Sequence, residues 1–178
     1  LENCGGGEFD MVLANMIVSE DLSIAAAAIS LVGVTCSEGH EANVINDAIE
    51  SMCISKDEGV LCAICYAGAA AKSLRTPHVL GVLESSLDKG KRLRRAALKS
   101  ISGIPALALK HWSKIINGID NKDKKTAEFA SVTAIQAGLN AETLTLDSAR
   151  KDVLIRAFRQ LDEAGISPPS GSVTVSKD

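Results

Sequence analysis

Gly90–Ile104 reads GKRLRRAALKSISGI, and the way its residues divide decides the fold. Five of its first ten residues are basic (Lys91, Arg92, Arg94, Arg95, Lys99), and the segment then turns apolar. Wound as a helix, Leu93, Ala96, Ala97, Ser100, Ile101 and Ile104 fall at offsets 0, 3, 4, 7, 8 and 11 and form one apolar stripe. Arg92, Arg95, Lys99 and Ser102 fall opposite it. The stretch is therefore a packing helix first, with its charges on the outer side. Its small residues let a neighbouring helix come close, and a lone pair of such helices could not bury its stripe without another pair stacked against it.

The rest of the composition points the same way. Apolar residues make up 46% of the 178 residues and aromatics only 3%, so the core is built from Ala, Leu, Ile and Val at short helix–helix distances. Sustained period-two alternation, the mark of a sandwich or barrel, is absent. The length suits one domain that needs neither metal nor disulfide to fold. The cysteines, Cys4, Cys36, Cys53, Cys62 and Cys65, are odd in number and read as reduced thiols of a cytoplasmic protein. No basic region precedes an apolar core at the start, so no signal peptide is expected. The most apolar run, Leu22–Cys36, is too short for a bilayer span and reads as a buried helix rather than a membrane anchor.

Three segments align internally: Ala42–Gly68, Pro77–Gly103 and His111–Gly138. Each carries an apolar helix, a short polar break and a second helix centred on small residues. Met52, Leu87 and Ile119 close the first helices at steps of 35 and 32, and Ala63, Ala97 and Ala130 mark the second helices at steps of 34 and 33. Ser19–Val34 reads as a further helix of the small-residue kind. Leu146–Gly165 is a strong amphipathic helix with Val153, Leu154, Ala157, Phe158 and Leu161 on one side, an N-cap at Asp147 or Ser148, and a stop at Gly165. Asp152 and Arg156 stand four apart, a favourable ion-pair spacing.

This pattern resembles the HEAT and armadillo-type α-helical repeats, most closely over Pro77–Gly103. There a Leu-rich helix (Leu80, Leu83, Leu87) is followed by Asp88 at the turn and by the run Leu93–Leu98 with Gly103 after it. The match departs from the pattern at Glu58-Gly59-Val60 and Lys124-Lys125-Thr126. The resemblance implies an all-α fold: a right-handed α-solenoid of about four helix pairs with a C-terminal capping helix. The expected organisation is a flexible segment over 1–10, a single helical domain over 11–165, and a tail or linker over 166–178.

Net charge hides a division along the chain. Residues 1–71 carry −10, residues 72–125 carry +9 and residues 126–178 carry −2, which sums to −3. The basic middle offers Lys89, Lys91, Arg92, Arg95 and Lys99, then Lys110, Lys114, Lys122, Lys124 and Lys125 one repeat later. Three readings fit it: a solvated face, a surface for an acidic protein, and a phosphate-binding stripe. Trp112 stands alone and the sequence pI is about 5.7, which sets nucleic acid behind protein. The expected partner surface is Lys89, Lys91, Arg92, Arg95, Lys99, Lys114, Lys124 and Lys125. Acidic and basic parts could also complement one another between chains, giving self-association.

Catalytic patterns are lacking. Cys62-Ala-Ile-Cys65 has the spacing of a redox pair or half a zinc site, but no βαβ setting surrounds it and no second close pair exists; Cys36, His40 and Cys53 would contribute only if the fold gathered them. Packing is the plainer reading, with cysteine in place of alanine. The histidines His40, His78 and His111 stand far apart. The carboxylates Glu38, Glu41, Asp47 and Glu50 read as a solvated acidic face. No P-loop, GxSxG or HExxH is present. The sequence thus leads to a non-catalytic protein-binding adaptor without cofactor or metal, with a nucleic-acid-binding repeat protein as the alternative.

Overall fold

The computed structural model describes residues 6–35, 43–140 and 148–169. Among the described residues the chain is all-helical, with no strand: α1 (Gly6–Ile17), α2 (Leu22–Thr35), α3 (Asn43–Met52), α4 (Glu58–Ala70), a 3-10 turn over Lys72–Leu74, α5 (Pro77–Ser86), α6 (Lys91–Ile101), α7 (Pro105–Lys110), α8 (Trp112–Ile119), α9 (Lys124–Asn140) and α10 (Ser148–Glu163). The chain divides into two compact units, Leu1–Ser100 and Ile101–Asp178.

Helix starts follow from side-chain oxygens that take up the first free backbone N–H groups. Asp21 Oδ1 accepts from the N–H of Ser23 at 2.9 Å and of Ile24 at 3.4 Å, opening α2. These backbone bonds hold the Asp21 carboxyl below the ordinary aspartate range. Asp57 Oδ1 accepts from Val60 N–H at 2.8 Å ahead of α4. Thr76 caps α5, where Pro77 takes a first-turn position whose missing N–H costs nothing. Asp123 accepts from Thr126 N–H at 3.1 Å and opens α9. The departure from the repeat pattern at Lys124-Lys125-Thr126 is thus the first turn of a capped helix.

Two helix ends in the first unit are closed by arginines. Arg75 donates from Nε to Gly68 O at 3.0 Å and from Nη2 to Ala69 O at 3.1 Å, covering the last carbonyls of α4. Arg94 donates from Nε to Leu87 O at 2.9 Å, at the end of α5. A cation there also meets the negative end of the helix dipole.

In the first unit α1 packs on α2 and α3, α2 on α4, α3 on α4 and α5, and α4 on α5. The connection from α1 to α2 spans 18–21, short enough to make the two antiparallel neighbours. Helix α4 is the centre, burying Val60, Cys62, Ala63, Ile64, Cys65, Ala67 and Gly68. A Cβ placed on Gly33 of α2 would sit 3.0 Å from the Ala67 Cα, and one on Gly68 would sit 2.7 Å from Val79 Cγ1 of α5. Adjacent residues of α4 therefore receive the backbone of α2 and the Val79 side chain of α5 at close approach. The direction of α6 follows from two points along α4: Gly90 lies beside Glu58 and Lys99 over Tyr66. The order is the same in both helices, so α4 and α6 run in the same direction.

In the second unit α9 is central, packing on α7, α8 and α10, and α10 also touches α8. Ala127, Ala130, Ala134, Ile135 and Ala137 are buried along α9. The buried hydroxyls of Ser131 and Thr133 donate to Ala127 O at 2.8 Å and Phe129 O at 2.7 Å within the helix. Val153, Leu154, Ala157 and Leu161 of α10 are buried and Phe158 half-buried, the expected apolar side of this helix. It ends at Gly165, with φ of 69°, where Gly165 N–H meets Asp162 O and Ile166 N–H meets Leu161 O, a Schellman closure that only glycine enters freely. Arg156 pairs with Asp120 Oδ2 of the α8 end at 2.8 Å, an exposed bridge worth little to stability. Asp147, the proposed N-cap of α10, lies outside the described residues, as does the tail beyond residue 169.

Ala63, Ala97 and Ala130 are all buried, at 4%, 0% and 0% exposure. No helix among the described residues is long and apolar enough to cross a membrane. Leu22–Thr35 buries Ala25, Ala28, Ile29, Val32 and Gly33 only, so the expectation of a buried helix holds for one face.

Glycine substitutions separate packing from propensity. Gly33→Ala and Gly68→Ala force the neighbouring backbone or the stiff Val79 side chain to shift, at an expected cost of about 1–3 kcal/mol each. At Gly81, on the exposed side of α5, an added Cβ meets nothing within 4 Å. Gly81→Ala is expected to gain up to about 1 kcal/mol from helix propensity. Denaturant titrations followed by circular dichroism read both signs.

Candidate interaction surface

The basic face is built on α6. Its stripe is buried as the spacing predicts: Leu93, Ala96, Ala97, Ser100 and Ile101 are inside and Ile104 is half-buried. Lys91, Arg92 and Lys99 are exposed and Arg95 half-buried, with Lys89 exposed in the preceding turn. Arg94 leaves this group, since its guanidinium turns back to the end of α5. These residues belong to the first unit. Lys114, Lys124 and Lys125, also exposed, belong to the second, together with exposed Lys110 and Lys122.

The α6 face continues onto α4. Lys99 Nζ stands 5.5 Å from the centroid of the Tyr66 ring, a cation–π contact at a partly exposed site. Burial raises the Tyr66 pKa, Cys62 and Cys65 add to this, and Arg92 opposes it. Tyr66 therefore stays a neutral phenol, an aromatic platform beneath the Lys99 ammonium. Neither the helix stripe nor the charge pattern singles out Tyr66. The signal that could have done so is a single tyrosine standing one turn after Cys62 in a helix otherwise built of small and apolar residues.

In the second unit Lys124 lines an open recess of about 280 Å³ with Asn121, Glu128, Gln160 and Glu163. Two carboxylates share this recess, so Lys124 contributes less positive potential than its sequence neighbours suggest.

The cysteines behave as core residues. Cys65 is fully buried, with Sγ 3.9 Å from Ser86 Oγ, and burial pushes its thiol pKa up to about 12. Burial, helped by Glu50, raises Cys53 to about 11. Cys62 is also raised by burial, against the pull of Arg92. A nucleophilic or metal-binding cysteine needs the opposite shift. Among the described residues no three His, Cys, Asp or Glu side chains converge on a point that could hold a metal. Cys4, Cys36, Glu38, His40 and Glu41 lie outside the described residues. Asp47 is exposed, Glu50 Oε2 meets His78 Nδ1 at 3.2 Å, and His111 is half-buried at the end of α7.

Comparison with protein-family models, curated proteins and solved structures finds no match for this chain.

The raised thiols predict a pH response. A thiol whose folded pKa lies above its ordinary value of 9.0 favours the folded state while protonated, and that contribution is lost as pH rises from about 9 toward 11 and 12. Denaturation midpoints should fall above pH 9 more steeply for the native chain than for a Cys53→Ala, Cys65→Ala variant. Equal slopes would show that the thiols do not contribute.

Proposed function

We propose that this chain is a non-catalytic, cytoplasmic protein-binding adaptor of HEAT-like architecture, which holds an acidic protein partner against the basic face of α6. The observation that carries the reading is the split of α6. One side is consumed by packing, while Lys91 and Arg92 in the first turn and Lys99 near the end are exposed, Lys99 over the Tyr66 ring.

The solenoid part of the proposal is supported by the order of packing. The first helices of successive pairs touch, α1 with α3 and α3 with α5, and so do the second helices α2 and α4. The shared direction of α4 and α6 is what stacked pairs require. The pairs α1/α2, α3/α4, α5/α6 and α8/α9 would be the four repeats of a right-handed solenoid, and α10, with an exposed charged side, its C-terminal cap. Such a fold recognises partners over an extended surface rather than through a dedicated pocket. The second group of cations, Lys114, Lys124 and Lys125, would extend the same kind of surface. No step of this function calls for a cofactor.

Charge reversal tests it. A fluorescent poly-glutamate peptide should bind the native chain and lose at least about tenfold in affinity to Arg92→Glu, Arg95→Glu, Lys99→Glu, with helicity unchanged. Duplex DNA at two salt concentrations separates the alternative. Binding that falls steeply with salt and exceeds that of the acidic peptide would transfer the face to nucleic acid. No binding of either probe would remove the proposed role for α6.

A further inference from the structure

The first helix pair carries a second surface, of opposite chemistry, which the basic-face reading does not use. On α2, Ile24, Ala27, Leu31 and Val34 follow one another at helical spacing and are all exposed; Val34 is 75% exposed. Ile24 and Leu31 point directly away from Gly33, the residue that meets α4, so this stripe faces away from the stack. On α1, Phe9, Val12 and Met16 form a second exposed apolar stripe at steps of three and four, bordering the buried side that carries Leu13, Ala14 and Ile17. Scattered surface apolar residues are ordinary, but two helical stripes of them on one antiparallel pair are not.

The charges around these stripes are of one sign. Residues 1–55 contain no Lys or Arg. Exposed Glu20 and Asp21 stand at the turn that begins α2, and Glu8 and Asp10 at the start of α1. Because the two helices are antiparallel, carboxylates stand at both ends of the pair.

We propose that this face docks a cationic amphipathic helix from another protein, with its apolar side on Ile24, Leu31, Val34 and the α1 stripe and its Lys or Arg residues on the flanking carboxylates. A second copy of this chain is a poor occupant, since its own acidic ends would meet those of the first. An anionic membrane is repelled for the same reason. A basic helix satisfies both the apolar area and the carboxylates, by the groove-binding mode that helical anchors use.

The probe is a synthetic Leu/Lys helix as long as α2, 14 residues, with a Leu/Glu helix as its counterpart. The Leu/Lys helix should bind the native chain, more weakly as salt rises, and the Leu/Glu helix should not. Leu31→Lys with Val34→Lys should cut affinity at least about tenfold, and Leu31→Gln with Val34→Gln should cut it less, circular dichroism showing the fold intact in both. Arg92→Glu, Arg95→Glu, Lys99→Glu should leave this binding in place, so the two surfaces stand or fall separately. The proposal is overturned by any of four results. These are no binding of the Leu/Lys helix, equal binding of the Leu/Glu helix, dimerisation in sedimentation that Leu31→Lys with Val34→Lys abolishes, or uptake on neutral phosphatidylcholine vesicles that the same variant abolishes.

Discussion

The close approach of α2 and α5 to α4 is the constraint on which the first unit depends. Ala67 and Gly68 are neighbours in sequence and face different helices, one meeting Gly33 and the other Val79. Large side chains at these points would hold the helices apart by more than the usual 8–10 Å and open the core. The low aromatic content has the same origin, since a core this shallow has no volume for rings. So has the use of Cys62 and Cys65 on α4, where a thiol is little larger than alanine and as content in apolar surroundings. The same burial keeps the Cys53 and Cys65 thiols protonated at neutral pH.

Most element boundaries were legible because two independent signals agree at them. The aligned segments start and stop close to α3/α4, α5/α6 and α8/α9, where apolar period and capping residues coincide. At α10 the stripe and Gly165 gave the helix and its closure together. What the sequence conceals is the side of a helix that is apolar all round. Leu22–Thr35 has almost no polar residue to mark an outer face, so its periodicity cannot tell which apolar residues are buried. That depends on Gly33 meeting α4, a tertiary fact. The division at Ser100/Ile101 falls in the last turn of α6, and the Ser102-Gly103-Ile104-Pro105 run that follows reads equally as the turn between one helix pair and the next.

Charge on this chain serves the fold before it serves a partner. Asp21, Asp57 and Asp123 open helices, and Arg75 and Arg94 close them. Counting charges along the sequence therefore overstates the surface available to partners. Arg94 shows the error most clearly, because it sits within the densest basic run and yet faces the backbone of α5. Lys124 shows a weaker form of it in a recess with Glu128 and Glu163. What remains on α6 is a short row of cations beside one aromatic ring, and what remains on α1 and α2 is carboxylate around apolar surface.

The stripe of α2 faces away from α4, the helix whose Tyr66 meets Lys99, so the body of α2 and a helix spacing of roughly 8–10 Å stand between the two surfaces. At physiological ionic strength the screening length is about 8 Å, so the charge of an occupant on one surface is largely hidden from the other. Mechanical coupling is limited as well. The seams between α2, α4 and α5 rest on contacts with almost no slack, and a small-residue interface of this kind does not slide without opening a void. Coupling through the fold would require two discrete arrangements of α4, and its closeness to α2 and α5 leaves room for one. The two proposed surfaces of the first unit would therefore be filled independently of one another.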